Sequence, residues 1–331
     1  MAEKKTAASA PASKTKSTAA KSAAAKTSAA KAKSAAKPTA VYDESSIQHL
    51  EGLEHIRLRP GMYIGSLGDG SNENDGIYIL LKEGIDNAVD EFSQGFGKRI
   101  DIEIKDGRVK IRDYGRGIPL GKLEDCVSNV NTGAKYNNSV FKQAIGMNGV
   151  GIKATNALSS SFRAASIRDG KMAVVEFSKG NKISAKMGKA KPGVPDGTYL
   201  EFEPDKELFG KYAYNMDYVE KRLWNYAYLN PGLLLKCNGV EYLSENGIQD
   251  LLVNEMGGVD KSLYPLFCYA GGNNLEFVLT HGASLDKFIY SFVNGQSTED
   301  GGTHVTAFLD GFAKGVNEFF KKSYDIKDIS S

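Results

Sequence analysis

Glu83, Asp86, Asn87 and Asp90 are spaced so that a helix would gather three carboxylates and one amide along a single side. At about 100° per residue they fall opposite Ile77, Leu81, Ile85, Ala88, Val89, Phe92 and Phe96. Residues 76–96 therefore read as one helix with an apolar arc and an acid-and-amide arc. That polar arc faces either solvent or a ligand, and the helix alone does not choose between them. A further carboxylate, Asp113, follows a run in which Ile100, Ile102 and Ile104 alternate with polar residues. Asp106-Gly107 supplies a two-residue turn, and Val109 and Ile111 resume the alternation. Asp113 continues the parity of Val109 and Ile111, so it points to the core, where a carboxylate is costly unless it accepts hydrogen bonds.

The segments after these carboxylates carry backbone suited to a bound molecule. Gly115-Arg116-Gly117-Ile118-Pro119 allows close approach and then stiffens, which suits a flat ligand against Ile118 and Pro119; an aspartate capping a glycine turn is the simpler alternative. Gly146-Met147-Asn148-Gly149-Val150-Gly151 precedes an apolar helix that starts near Ile152, and N–H groups in such a turn suit phosphate oxygens. The loop is not a Walker A motif, because no Gly-Lys in the chain is followed by Ser or Thr, and it lacks the Gly-x-Gly-x-x-Gly order. Lys135 lies just upstream, within reach of a phosphate or of solvent, and Asp196-Gly197-Thr198 reads as a turn entering a strand.

Earlier in the chain, Ser45 or Ser46 can cap a helix carrying Ile47, Leu50, Leu53 and His55, which Arg59-Pro60-Gly61 must break. Composition marks a boundary just before that helix. Residues 1–40 hold nine lysines and one glutamate of the chain's 42 basic and 40 acidic residues, so a basic tail precedes an acidic body. With no aromatic residue and no sustained period, the tail reads as disordered, and it suits either non-specific phosphate binding or a solubilising role. It has no arginine, which argues against a transit peptide. No apolar run approaches the ~20 residues of a membrane helix, so no membrane partner is expected and the cytoplasm is the expected location. Cys126, Cys237 and Cys268 are odd in number and far apart, which points to buried free thiols rather than disulfides or a zinc site.

Taken in this order, the motifs resemble the ATPase region of bacterial type IIA topoisomerase B subunits. Those proteins fall in the superfamily shared by gyrase, Hsp90-type chaperones, the mismatch-repair ATPase and sensor histidine kinases. Arg59-Pro60-Gly61-Met62-Tyr63-Ile64-Gly65 and Gly301-Gly302-Thr303-His304 are similar to the topoisomerase branch. Gly68-Asp69-Gly70-Ser71, Asp113-Tyr114-Gly115-Arg116-Gly117-Ile118-Pro119-Leu120 and Asn148-Gly149-Val150-Gly151 are most like the topoisomerase IV type. The resemblance runs from Tyr42 to the C-terminus. Gyrase B is the nearest alternative, followed by a chaperone-type ATP clamp and a DNA-binding protein acting through its lysine-rich tail.

The resemblance implies an α+β fold, with a Bergerat-type (GHKL) α/β sandwich over 41–256 and part of a ribosomal S5 domain 2-like transducer over 257–331. It implies ATP and Mg²⁺ as cofactors. Glu83 would be the general base and Asn87 the metal ligand. Asp113 would accept the adenine amino hydrogen, Gly117, Ile118 and Pro119 would pack on the base, and Lys135 and Thr198 would lie at the nucleotide's edge. Gly146, Met147, Asn148, Gly149, Val150, Gly151 and Ile152 would form a lid. Tyr42 would reach the nucleotide of a second copy in a homodimer, while Arg116 would face Glu91 and Arg168 would line the pocket. Ile145 and Asn148 depart from the family's commoner Gly and His. The implied partners are double-stranded DNA and a DNA-cleaving A subunit. In the transducer, Leu275–Leu279 and Phe288–Val293 are expected strands. An amphipathic helix follows on Val305, Phe308, Leu309, Phe312, Val316, Phe319 and Phe320. The transducer's phosphate-sensing lysine is expected beyond Ser331.

Overall fold

The computed structural model describes residues 47, 50, 52–136, 145, 149–272, 275–283 and 287–324. The lysine-rich tail, Tyr42, Ser45, Ser46, Gly146, Met147 and Asn148 lie outside the described residues. The chain separates into units Met1–Gln48 and His49–Ser331, and the architecture that follows is that of the second.

Helices α1 (Gly52–Leu58), α2 (Gly61–Ile64) and α3 (Gly76–Ser93) precede the hairpin of β1 (Arg99–Lys105) and β2 (Arg108–Asp113). Then come α4 (Leu123–Ser128), α5 (Gly151–Ala157), β3 (Ser159–Arg168), β4 (Lys171–Ser178), β5 (Asn181–Lys189), β6 (Gly197–Pro204) and α6 (Lys206–Phe209). The sheet is completed by β7 (Leu234–Cys237) and β8 (Val240–Tyr242), which follow α7 (Met216–Leu229). Its order is β5-β4-β3-β6-β2-β1-β7-β8, antiparallel throughout except where β1 meets β7.

Alternation along the central strands makes the sheet two-faced. Val109, Ile111 and Asp113 of β2 are buried beside Leu200 and Phe202 of β6. The intervening residues pair as charges on the other face, with Arg108 2.9 Å from Glu201 and Lys110 2.8 Å from Glu103. The hairpin closes through Asp106 and Gly107 at φ 53° and 81°, and its register sets Ile100 opposite Asp113. The expected hairpin, its turn and the inward direction of Asp113 are all present.

Helix α3 lies on the buried face of this sheet. Its apolar arc is sequestered, with Ile77, Leu81, Ile85 and Val89 each fully buried. At Gly84 the helix approaches so closely that a Cβ would stand 2.4 Å from Ile111 Cδ1 and 3.1 Å from Leu200 Cδ2. The acidic arc is covered as well, because Asp86 and Asp90 are buried. Phe96, expected on the same helix, lies beyond it: the chain leaves the helix through Gly95 at φ 86°, and Phe96 packs under the Arg116 guanidinium, 4.2 Å from the ring centroid.

Other expectations need correction. Helix α1 begins at Gly52, at φ 47°, so Ile47 and Leu50 are not part of it. Of the three thiols only Cys237 is buried; Cys126 is half-buried and Cys268, on a strand of a two-stranded sheet, is exposed.

Beyond α8 (Ile248–Glu255), β9 (Phe267–Gly271) pairs with β10 (Leu275–Leu279), as the sequence pattern suggests. The second expected strand is shorter: β11 (Phe292–Val293) pairs with β12 (Gln296–Ser297), and 287–291 lie outside any strand. A run of strand-favouring residues becomes a strand only where a neighbour pairs with it. Helix α9 (Thr303–Tyr324) carries the expected amphipathic pattern. Among the described residues, no helix is long and apolar enough to cross a membrane.

Because α3 is seated at Gly84, Gly84→Val is expected to lower stability by about 1–3 kcal/mol through overpacking against Ile111 and Leu200. A lower urea midpoint at unchanged denaturant slope would show it, whereas an unchanged midpoint would show that the layers yield freely at that contact.

Candidate active site

Between α3 and the sheet lies a cavity of about 530 Å³. Glu83 and Asn87 reach it from α3, Asp113 from the end of β2, and Thr198 from the start of β6. Ile118 and Pro119 line it from the turn after β2, and Gly149, Val150, Gly151 and Ile152 from the entry to α5. Gly117, Lys135, Arg116 and Arg168 complete the set of expected residues that meet there.

Asp113 is 7% exposed, and its Oδ1 accepts hydrogen bonds from the backbone N–H groups of Gly115 at 2.9 Å and Thr198 at 3.1 Å. Among the described residues its Oδ2 has no donor. Burial pushes the carboxyl above its ordinary value, and the two N–H groups oppose that shift. The wall beside it is held by Ser166 Oγ donating to the Ile118 carbonyl at 2.6 Å and Arg168 donating to the Gly117 carbonyl at 3.2 Å. Arg116 grips Glu91 through its backbone N–H, Nε and Nη2 at 3.0, 3.1 and 3.0 Å, as expected.

On α3 each carboxylate meets a different environment. Asp86 pairs with Lys82 at 2.7 Å and accepts the Tyr226 hydroxyl of α7. Asp90 pairs with Lys135 and accepts the Ile145 backbone N–H at 2.7 Å. Asn87 donates to the Glu83 carbonyl at 2.8 Å while its Oδ1 accepts from Lys135 Nζ at 2.7 Å. Glu83 is left with Lys82 at 3.9 Å, and burial raises its carboxyl above the ordinary range. Helix α5 closes on it so tightly that a Cβ at Gly151 would overlap Glu83 Oε2 at 1.6 Å. This is a carboxylate poised to accept a proton, next to an amide oxygen that already holds a cation and across a cavity from a polar pocket with a flat apolar wall.

Two family descriptions match this chain. One, for histidine kinase-, DNA gyrase B- and HSP90-like ATPases, covers residues 72–207; the other, for DNA gyrase B, covers residues 240–330. The B subunit of DNA topoisomerase 4 from Borreliella burgdorferi is 50% identical over 291 residues, which are 88% of this chain and 48% of that protein. The chain belongs to the gyrase B and topoisomerase IV B family of ATPases. The B subunit of DNA gyrase from the same organism is 36% identical over 302 residues, 85% of this chain and 47% of that protein. Within the family the chain is thus more similar to the topoisomerase IV type of that organism. The crystal structure of the 43K ATPase domain of Thermus thermophilus gyrase B in complex with an aminocoumarin superposes with TM-score 0.66 at 28% identity, over 85% of this chain and 76% of that one. The chain spans about half the length of the curated relatives it matches.

Sequence reasoning missed Tyr226, because its partner Asp86 lies far away in the chain and no local pattern links them. It also missed Gln296, which lines the cavity from β12, and Lys153, which lines it from α5.

The raised Asp113 carboxyl makes a prediction with a definite sign. A folded-state pKa above the unfolded value means that ionisation disfavours the fold, so stability is fullest below the ordinary value of 3.8 and is lost as pH rises through the folded pKa. Asp113→Asn keeps an oxygen for Gly115 and Thr198 and removes that charge. Its melting temperature is expected to equal or exceed the parent's at pH 7, with the advantage shrinking as pH falls toward 3.8. Thermal scans across that range would check it, and a variant markedly less stable at pH 7 would reverse the sign.

Proposed function

We propose that this chain binds ATP with Mg²⁺ and hydrolyses it as the ATPase part of a topoisomerase IV-type B subunit. The observation that carries the reading is the buried Asp113 carboxylate, supported by two backbone N–H groups, facing the same cavity as Glu83 and Asn87. Asp113 Oδ2 accepts the adenine amino hydrogen while Gly117, Ile118 and Pro119 pack on the ring. Thr198 and Lys135 border the nucleotide. The segment Gly146–Ile152, of which Gly149–Ile152 line the cavity, closes over the triphosphate.

Asn87 fits the metal. Its Oδ1 is a hard oxygen donor that already accepts an ammonium, and Mg²⁺ commonly takes one or two protein oxygens with phosphates and waters completing the shell. When bound, Mg²⁺ neutralises charge on the phosphates. Asn87 would hold the metal, and Lys135, which now donates to Asn87 Oδ1, would keep Asp90 as its partner. Glu83 takes a proton from the water that attacks the γ-phosphoryl group, and no nucleophilic side chain is needed because positioning and charge neutralisation carry the reaction. The raised Glu83 carboxyl suits a base working near neutral pH.

ATP binding is coupled to homodimerisation through the arm carrying Tyr42. In the complete enzyme, that closure drives passage of one DNA duplex through another, which a partner A subunit cleaves in the cytoplasm at the nucleoid. The division into an ATPase domain to Met256 and a transducer from Gly257 belongs to the same reading. So does preference for topoisomerase IV over gyrase, supported by the 50% and 36% identities to the two Borreliella burgdorferi proteins.

Glu83→Ala is expected to keep ATP affinity within about threefold while lowering hydrolysis by about 100-fold or more, as loss of a general base does. Calorimetry and phosphate release would separate the two effects, and persistent turnover would remove Glu83 from its role. Asp113→Asn, whose fold is expected to hold at pH 7, should weaken ATP binding by about tenfold or more, since a hydrogen bond to a charged acceptor is worth about 1.5–3 kcal/mol. Unchanged affinity would refute the adenine contact.

A further inference from the structure

Lys153 is a buried cation that no carboxylate pairs with among the described residues. It sits on α5 with 2% of its surface exposed, yet it forms part of the cavity lining. Its Nζ donates to the Thr132 carbonyl at 2.7 Å, and a neutral carbonyl satisfies only one of an ammonium's three donors. Among the described residues no carboxylate forms an ion pair with it. The carboxylates of α3 are engaged elsewhere, Asp90 by Lys135 and Asp86 by Lys82, and Glu83 also lies nearest Lys82.

The sequence around it accounts for this. Between Asp125 and Asp169 there is no acidic residue, while Lys135, Lys142, Lys153, Arg163 and Arg168 all fall in that interval. Every segment from the end of α4 through β3 therefore brings positive charge or none. The charged and titratable groups acting on the ammonium are the Cys126 thiol of α4 and Lys135. Burial first, and Lys135 as a like charge, lower its pKa to about 8, while Cys126 opposes them. An ammonium held out of water without an anion is costly, and such a group persists where a ligand completes it.

We propose that Lys153 is a second phosphate-binding cation of this site, contacting an oxyanion of the nucleotide's polyphosphate from the Thr132 side of the cavity while Lys135 serves the Asn87 side. This rests on the ATP reading and deepens it. Recognition is divided, with Asp113 reading the base and Lys153 reading the phosphates, so Lys153 makes the site select nucleotides over nucleosides.

The test is calorimetry of the whole chain with Mg·ATP, and ligand-observed NMR with adenosine, on the parent, Lys153→Met and Lys153→Gln. Glutamine retains a donor for Thr132 without the charge, so it remains informative if the methionine variant folds poorly. Both variants are expected to lose about tenfold or more in ATP affinity and to keep adenosine affinity within about twofold. Near pH 8 the parent should also take up a proton on binding ATP, because a bound phosphate raises the lysine's pKa. That uptake, read from the dependence of the heat on buffer ionisation enthalpy, should vanish in the variants. Equal ATP affinity in Lys153→Gln, an equal loss for ATP and adenosine, or proton uptake that persists would each overturn the assignment. A parent chain that binds no ATP would instead overturn the reading on which it rests.

Discussion

The site depends on how closely α3 sits on the sheet. With no side chain at Gly84, the helix rests against Ile111 and Leu200, and this contact fixes both its height and its rotation. Glu83 and Asn87 are the helix neighbours that then reach the cavity, opposite Asp113 on the same strand as Ile111. A core contact and a chemical arrangement are thus one geometric fact. Close-packed interiors make such a constraint stiff, since a methyl group's difference in volume is already felt.

Electrostatics then sorts groups that the sequence leaves equivalent. Three carboxylates on one arc of α3 would repel one another if all were buried and unpaired. Lys82 with Tyr226 takes Asp86, and Lys135 with the Ile145 N–H takes Asp90. Glu83 alone lacks a close partner and carries a raised pKa, which is the state a proton acceptor needs. The two paired aspartates hold the polar face in place: Asp90 ties α3 to the Lys135 segment and to Ile145, and Asp86 ties it to α7. Across the cavity the charge reverses, because the chain from Asp125 to Asp169 has no acid, and that asymmetry matches a ligand with a polyphosphate.

Much of this was legible in the sequence because it rests on short periods. The β1–β2 hairpin, its Asp-Gly turn, the inward Asp113, Thr198 at the start of β6 and the apolar arc of α3 each follow from alternation or helical spacing. The failures share a cause as well. Phe96 fits the helical period but lies past the glycine that ends α3, and the apolar run at residues 288–290 lies outside any strand. Local pattern reports what a segment prefers, whereas neighbours decide whether that preference is satisfied. The buried-thiol expectation failed for Cys268, whose strand belongs to a two-stranded sheet and leaves it exposed.

By itself, the sequence determined the residue types, their periods and a motif order specific enough to place the chain in its ATPase family, because spacing along a helix or strand translates directly into a shared face. Only the tertiary structure decided which carboxylate of the arc lacks a close partner, where Lys135 points and that Lys153 is buried with no carboxylate paired to it among the described residues. Those properties arise from contacts between residues far apart in the chain, such as Asp86 with Tyr226 and Asn87 with Lys135, and no local period encodes them.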